Sequence, residues 1–163
     1  IGKNTVNEHG DMGYTDPTGK ELAECWLVEM KSGYAKRRNK TGRTQWCVLD
    51  LLDGQEKSPT LISFWKQVTE GANYTGREPI LIFRRNQKQV CIAVCGRYFQ
   101  NLVYFFGAPN KDTISIRLTK HHFDTNHQII IIMKMEDFLD WIPDIRISLL
   151  PIPDKSPIRI RYK

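Results

Sequence analysis

The sequence has no long hydrophobic run and no cysteine pair of the CxxC type. Its apolar runs, such as Ile129 to Met133, are far shorter than the roughly 18 residues that cross a bilayer, so we expect no membrane segment. Zinc sites usually draw on two closely spaced pairs of Cys or His, and the cysteines here are scattered. We therefore expect reduced, mostly buried thiols in an intracellular protein, at Cys25, Cys47, Cys91 and Cys95.

The first residues of the sequence show no signal pattern. The chain begins at Ile1 instead of methionine, and no charged-then-apolar pattern follows. We expect the chain to be a trimmed product or to lack its natural start.

What the sequence does have is an ordinary composition and a positive charge. Its 163 residues are 40% hydrophobic and 26% charged, which suits one globular domain with a hydrophobic core. The net charge of +6 favours an anionic partner, such as nucleic acid or a membrane surface. Two clusters hold much of this charge: Lys36, Arg37, Arg38, Lys40 and Arg43 form the first, and Arg84, Arg85 and Lys88 form the second. Either cluster alone is better explained as a solvated loop.

The first part of the chain predicts a hairpin. Asp16 to Gly19 have the composition of a tight turn, with Pro at the second position and Gly at the fourth. We expect this turn to join a short strand at Asp11 to Tyr14 with a second strand at Glu24 to Lys31. The second strand should place Trp26, Val28 and Met30 on one face and Cys25, Leu27, Glu29 and Lys31 on the other.

The rest of the chain predicts one crossover helix and further strands. Ser58-Pro59-Thr60 indicates a helix start, and Leu61, Phe64, Trp65, Val68 and Ala72 recur at helical spacing as a buried stripe. Strands are predicted at Pro79 to Arg84, Gln89 to Cys95, Thr113 to Thr119 and Gln128 to Lys134, with a short helix at Glu136 to Trp141. This order indicates a mixed sheet in an α/β or α+β architecture.

Glu29 and Lys31 are the strongest candidates for chemistry. Two residues apart on one strand, their carboxylate and ammonium groups should project from the same side. Metal-dependent phosphodiester cleavage needs carboxylates to hold Mg²⁺ and a positive group to orient water or offset phosphate charge. Asp11, across the predicted turn, is the expected second acid, and the Met30 carbonyl is a further oxygen ligand. An ExK tripeptide is weak by itself; the surrounding acid, basic loop and helix give it weight.

These segments together resemble a known group. Gly10-Asp11, the strand that ends in Glu29-Met30-Lys31, Phe64 to Gln67 and Pro79 to Arg84 resemble the PD-(D/E)xK nuclease superfamily. The nearest types are the archaeal Holliday-junction resolvase-like and phage-encoded members, and the resemblance covers roughly Glu8 to Val94. It implies an α/β fold, a restriction-endonuclease-like mixed β-sheet flanked by helices. We expect a single nuclease-like domain over 1–163, with a core of about 8–95 and additional strands in a C-terminal extension, 96–163.

The resemblance also implies a site. Asp11, Glu29 and the Met30 carbonyl would hold Mg²⁺ or Mn²⁺, and Lys31 would be the catalytic lysine. Gln67 would face the metal from the helix, although an exposed helix residue is an equally good interpretation. The family usually has a helix with an additional acid before the first strand, and Glu8 would stand in for that acid here. Gly10 also replaces the usual proline.

The implied activity is that of a Mg²⁺-dependent deoxyribonuclease, with branched or junction DNA as the narrower expectation for its substrate. Such an enzyme would act as a homodimer in the cytoplasm of a prokaryotic cell or a phage-infected host. The basic loop at Lys36, Arg37, Arg38, Lys40 and Arg43 would bind DNA phosphates without reading sequence. Two alternatives stay open: a non-catalytic nucleic-acid-binding module that retains the fold, and an interaction protein whose basic patches bind an acidic partner.

Overall fold

The computed structural model describes residues 10–13, 19–32, 60–85, 87–118 and 127–142. The strands are β1 (Trp26–Ser32), β2 (Glu78–Arg84), β3 (Val90–Cys95), β4 (Ile114–Arg117) and β5 (Ile129–Lys134). The helices are α1 (Lys20–Cys25), α2 (Thr60–Thr75), α3 (Gly96–Phe106) and α4 (Met135–Trp141).

The five strands form one mixed sheet in the order β1-β2-β3-β5-β4. β1 pairs parallel with β2, so the chain between them must cross over the sheet, and α2 makes that crossover. β2 and β3 form an antiparallel hairpin, and β5 lies between β3 and β4, antiparallel to both. The carboxyl ends of β1 and β2 therefore lie side by side, which places Ser32 next to Arg84.

Helices cover both faces of the sheet. On one face, α2 packs on β1 and β2, and its buried stripe is Leu61, Ile62, Trp65, Val68, Thr69 and Ala72. On the other face, Trp26 of β1 contacts Tyr98 of α3 and Phe138 of α4. A mixed sheet flanked by helices is the α/β, restriction-endonuclease-like architecture that the sequence predicts.

The buried centre of the sheet explains its strong apolar strands. Ile80, Leu81, Ala93 and Ile130 are all fully buried, because both faces of the central strands are covered. Trp65 is also fully buried, and its Nε1 donates to the His127 carbonyl, 3.1 Å away, just before β5. No helix in the described ranges is long and apolar enough to span a membrane.

The start of the predicted second strand is wrong. Lys20–Cys25 form α1, and the strand begins only at Trp26. The Lys-Glu-Leu-Ala-Glu segment consists of good helix formers, and Lys20 pairs with Glu24 one turn later. Aromatic and β-branched residues begin at Trp26, which is where the extended conformation takes over.

One further prediction is wrong, one helix was not predicted, and some predicted residues lie outside the described ranges. Residues 10–13 form a bend instead of a strand, although Asp11 still bonds to β1. The sequence also missed α3, which follows β3 without a loop. Its signal was present as helical spacing of Tyr98, Leu102 and Phe106, but its many aromatic residues resemble a strand. Tyr14 to Thr18, Glu8 and the first basic cluster lie outside the described residues.

Candidate active site

Glu29 and Lys31 lie at the carboxyl end of β1, on the face that α2 covers. As the strand alternation predicts, both side chains point to the same side, and Lys31 Nζ lies 2.8 Å from Glu29 Oε2. The two side chains are only 11% and 12% exposed, so this ion pair is held in a largely dry environment. It is therefore less screened by salt than a surface pair.

α2 brings a second layer of side chains to this pair. Gln67 Nε2 lies 3.4 Å from Glu29 Oε2, and the Lys31 ammonium lies 5.7 Å from the centre of the Phe64 ring. Farther along the helix, Gly71 packs against Leu27 of β1. These contacts show that α2 runs antiparallel to β1, with its first turns at the Glu29–Lys31 end.

Asp11 approaches β1 from the edge opposite to β2. Its backbone N–H donates to the Val28 carbonyl at 2.7 Å, and its Oδ2 accepts the Met30 N–H at 2.8 Å. In an extended strand the N–H and C=O of one residue project to the same side. The Met30 carbonyl therefore also faces the edge where Asp11 lies, as the sequence prediction of a shared site requires.

Gly10 explains why the residue before Asp11 is not proline. Its φ is +100°, whereas the proline ring fixes φ near −65°. A Cβ on Gly10 would also come within 3.1 Å of the Val28 carbonyl oxygen. Glycine thus allows the chain to turn sharply against β1 and to present the Asp11 carboxylate beside Met30.

The donor set of this site fits a hard divalent cation. Asp11 and Glu29 supply carboxylate oxygens, and the Met30 carbonyl lies at the edge of β1 that Asp11 approaches. Carboxylate and carbonyl oxygens are the ligands that Mg²⁺ and Mn²⁺ prefer. The described residues contain no group of three or more His, Cys, Asp or Glu that could hold a metal.

The structure brings Glu29, Lys31 and Gln67 into contact, places Asp11 at the open edge of β1, and adds one residue. Asp11, Glu29, Lys31 and Gln67 are linked through β1 by the contacts above. Phe64 is the addition, because its helical spacing in the sequence assigned it to the core stripe. It is only half-buried and lies under the Lys31 ammonium.

A separate polar cluster lies at the other end of the sheet, around Glu78. Its carboxylate contacts Arg97 Nη2 and the Cys95 thiol, each at 3.4 Å. Cys95 also caps α3, since its sulfur accepts the Tyr98 N–H. Burial, reinforced by the negative charge of Glu78, raises the pKa of the Cys95 thiol to about 12. Such a thiol stays protonated and unreactive at neutral pH.

Comparison with known proteins gives one match. A family model described as "Phage putative PDDEXK endonuclease" matches residues 33–146, more than half of the chain. The matched segment includes Gln67 but begins just after β1, so it does not contain Asp11, Glu29 or Lys31. It also extends well past Val94, where the resemblance noted in the sequence ends. No curated protein and no solved structure matches significantly.

Proposed function

Because the chain belongs to the phage PDDEXK endonuclease family, we propose that it is a metal-dependent endonuclease that hydrolyses DNA phosphodiester bonds. The observation that carries this proposal is the Glu29–Lys31 ion pair at the carboxyl end of β1, with the Asp11 carboxylate bonded to the backbone of Met30 between them. The match to the family begins after these residues, so their roles rest on geometry and chemistry. A nuclease family implies DNA as the substrate.

In this proposal, Asp11, Glu29 and the Met30 carbonyl hold Mg²⁺ or Mn²⁺. When bound, such an ion supplies an activated water and a positive charge beside the scissile phosphate. Asp11 is oriented by the Met30 N–H, and Glu29 is oriented by Gln67. Lys31 places its ammonium where it can offset the negative charge that builds on the phosphate.

The proposal is tested by supercoiled plasmid cleavage in Mg²⁺ or Mn²⁺. Glu29→Gln and Lys31→Met keep the size of each side chain but remove its charge, and each should lower the cleavage rate by about 100-fold or more. Lys66→Met is the matched control, since Lys66 lies one position before Gln67 but is exposed and pairs with Glu70. Parent-like cleavage by both site variants would rule out the assigned site.

Metal binding is tested without any substrate. A ligand that binds only the folded state at about 100 times its Kd stabilises that state by about 2.7 kcal/mol. Mn²⁺ should therefore raise the melting temperature of the parent protein and release measurable heat in calorimetry. Asp11→Asn and Glu29→Gln should each abolish both effects; an unchanged Mn²⁺ response would exclude these carboxylates as ligands.

We further propose branched or junction DNA as the preferred substrate and a homodimer as the active form. The resemblance to resolvase-like nucleases supports both ideas. Cleavage of a four-way junction, compared with a linear duplex of the same sequence, tests the first, and light scattering tests the second. A non-catalytic DNA-binding module is the alternative. It would bind DNA in a salt-sensitive manner but show neither a Mn²⁺ response nor cleavage.

A further inference from the structure

The turn of the β2–β3 hairpin carries only amide and cationic side chains. Its sequence from Arg84 to Gln89 is Arg-Arg-Asn-Gln-Lys-Gln, so every side chain in it can donate hydrogen bonds and none carries a carboxylate. Arg84 Nε donates to the Lys88 carbonyl at 3.1 Å, and the Lys88 N–H donates to the Arg85 carbonyl. These bonds close the turn and hold its cations together.

The turn also has an unusual conformation for its residues. Gln87 has a φ of +57°, in the left-handed region that glycine and asparagine adopt most readily. A long side chain at this position therefore strains the backbone and lowers the stability of the folded chain. A turn selected only for stability would more commonly have glycine here.

Lys134 of β5 extends this surface on the face that carries the candidate site. Lys31 pairs with Phe83, Phe83 with Cys91, and Cys91 with Lys134, so these four residues form one row across four strands. Three strand spacings make this row about 14 Å long. Burial raises the pKa of the Cys91 thiol, and the nearby charges of Arg85 and Lys134 oppose that rise.

Within the described ranges, most cations at this end of the sheet have no carboxylate partner. Lys20, Lys31, Lys66, Arg97 and Lys111 each pair with a carboxylate. By contrast, Arg84, Arg85, Lys88 and Lys134 are all exposed and form no ion pair with any carboxylate in the described ranges. Arg117 is likewise exposed and unpaired there, but it lies at the opposite end of β5, beside Ile129.

We infer that Arg85, Lys88 and Lys134 form a phosphate-binding surface that holds a nucleic-acid backbone of any sequence beside Glu29 and Lys31. This inference rests on the proposed nuclease function, which supplies the reason for a polyanion at this end of the sheet. A duplex has one phosphate per roughly 3.4 Å of axis on each strand, so the row spans about four phosphates. Amides and guanidinium groups both donate to phosphate oxygens, which explains the composition of the hairpin.

The test measures binding of a random-sequence duplex by fluorescence anisotropy, with a chelator present so that no cleavage occurs. Each phosphate contact contributes about 0.9 to the slope of log affinity against log salt. The Arg85→Gln/Lys134→Gln variant should lower that slope by about 1.8 and weaken binding roughly 10- to 100-fold at ~0.1 M salt. The charge-conserving Arg85→Lys/Lys134→Arg variant should retain most of the parent slope.

Lys20→Gln/Arg117→Gln is the matched control, because it removes the same charge from exposed positions away from this surface. Equal slopes for the control and the Arg85/Lys134 variant would overturn the inference. The inference would also be overturned if the Arg85/Lys134 variant bound DNA like the parent but no longer bound polyglutamate. That result would indicate an acidic protein partner. Metal-dependent cleavage of plasmid by the parent is scored separately. A parent that binds DNA through this surface but never cleaves it therefore contradicts only the proposed function.

Discussion

Gly71 of α2 lies directly against Leu27 of β1: a methyl group on Gly71 would come within 3.1 Å of Leu27 Cδ2. The missing side chain lets the helix approach the strand closely in the middle of the crossover. Gln67 and Phe64 lie one and two turns earlier on the same stripe, where they reach Glu29 and Lys31. A packing feature remote from the candidate site thus sets the geometry of that site.

Gly71→Ala should separate stability from activity. Alanine improves helix propensity by about 1 kcal/mol, but its methyl group forces Leu27 or the helix to shift by a few tenths of an ångström. We expect a melting temperature close to that of the parent and a several-fold slower cleavage, as Gln67 and Phe64 move. Gly76→Ala is the control: its φ of +72° makes alanine strained, so it should lose about 1 kcal/mol without slowing the folded enzyme.

Phe64 is expected to position Lys31. An ammonium over an aromatic ring gains about 0.5–2 kcal/mol from the ring's negative face. Phe64→Leu should therefore slow cleavage about two- to thirtyfold while Mn²⁺ affinity stays constant, and Phe64→Tyr should restore the rate. Equal rates for the Leu and Tyr variants would show that the aromatic ring at residue 64 does not assist Lys31.

Gly10 should be intolerant of any side chain. Gly10→Ala places a Cβ at a positive φ and against the Val28 carbonyl, at an expense of about 1–3 kcal/mol, and shifts Asp11. We expect weaker Mn²⁺ binding in calorimetry, and Gly10→Pro should abolish it because proline cannot adopt this φ. Gly13→Ala, three residues away without a positive φ, should bind Mn²⁺ like the parent; comparable losses at both glycines would contradict the role of Gly10.

Cys95 should make the protein sensitive to alkali. The folded chain keeps this thiol protonated up to a pKa of about 12, whereas the unfolded chain releases the proton near 9.0. The free energy of unfolding should therefore be unaffected by this group below pH 9.0 and fall as pH rises from there towards 12, by up to about 1.4 kcal/mol per pH unit. Urea titrations across this range measure the fall.

Cys95→Ser is the matching control, because serine can still cap α3 yet does not titrate in this range. It should lose part of the alkaline dependence while keeping most of the stability at neutral pH. The buried Tyr98, whose pKa is also raised by burial, should supply the remaining dependence in both proteins. An identical fall for the parent and Cys95→Ser would show that the thiol does not contribute.

The sequence predicted those parts of the fold in which hydrophobic periodicity and turn residues agree. α2 carries a continuous apolar stripe, and the β2–β3 hairpin joins two apolar strands through a polar turn, so both are found as expected. α1 and α3 could not be separated from their neighbouring strands, because each adjoins its strand without an intervening loop. Local propensity changes at Trp26 without a turn residue, and at the start of α3 only the single Gly96 marks the boundary.

The part of the candidate site that lies on β1 could be predicted from the sequence. Alternation alone places Glu29 and Lys31 on one side, and the ion pair agrees with it. The sequence predicted that Asp11 approaches β1, but as part of a paired strand. In the structure, this approach depends on one backbone hydrogen bond, one side-chain hydrogen bond and the positive φ of Gly10. Phe64 could not be distinguished from a core residue, since helical spacing does not reveal what lies opposite a half-buried ring.

The position of β5 limits how far this protein can be reduced in size. β5 is a late segment, yet it lies between β3 and β4, and Trp65 of the crossover helix bonds to the chain just before it. A minimal nuclease cut after Cys95 would expose the edge of β3 from Cys91 to Cys95 and leave the Trp65 indole N–H without its acceptor. An unpaired, apolar strand edge of this kind invites aggregation. The candidate active site is contained in the first half of the chain. Engineering it nevertheless requires that the second half stay attached.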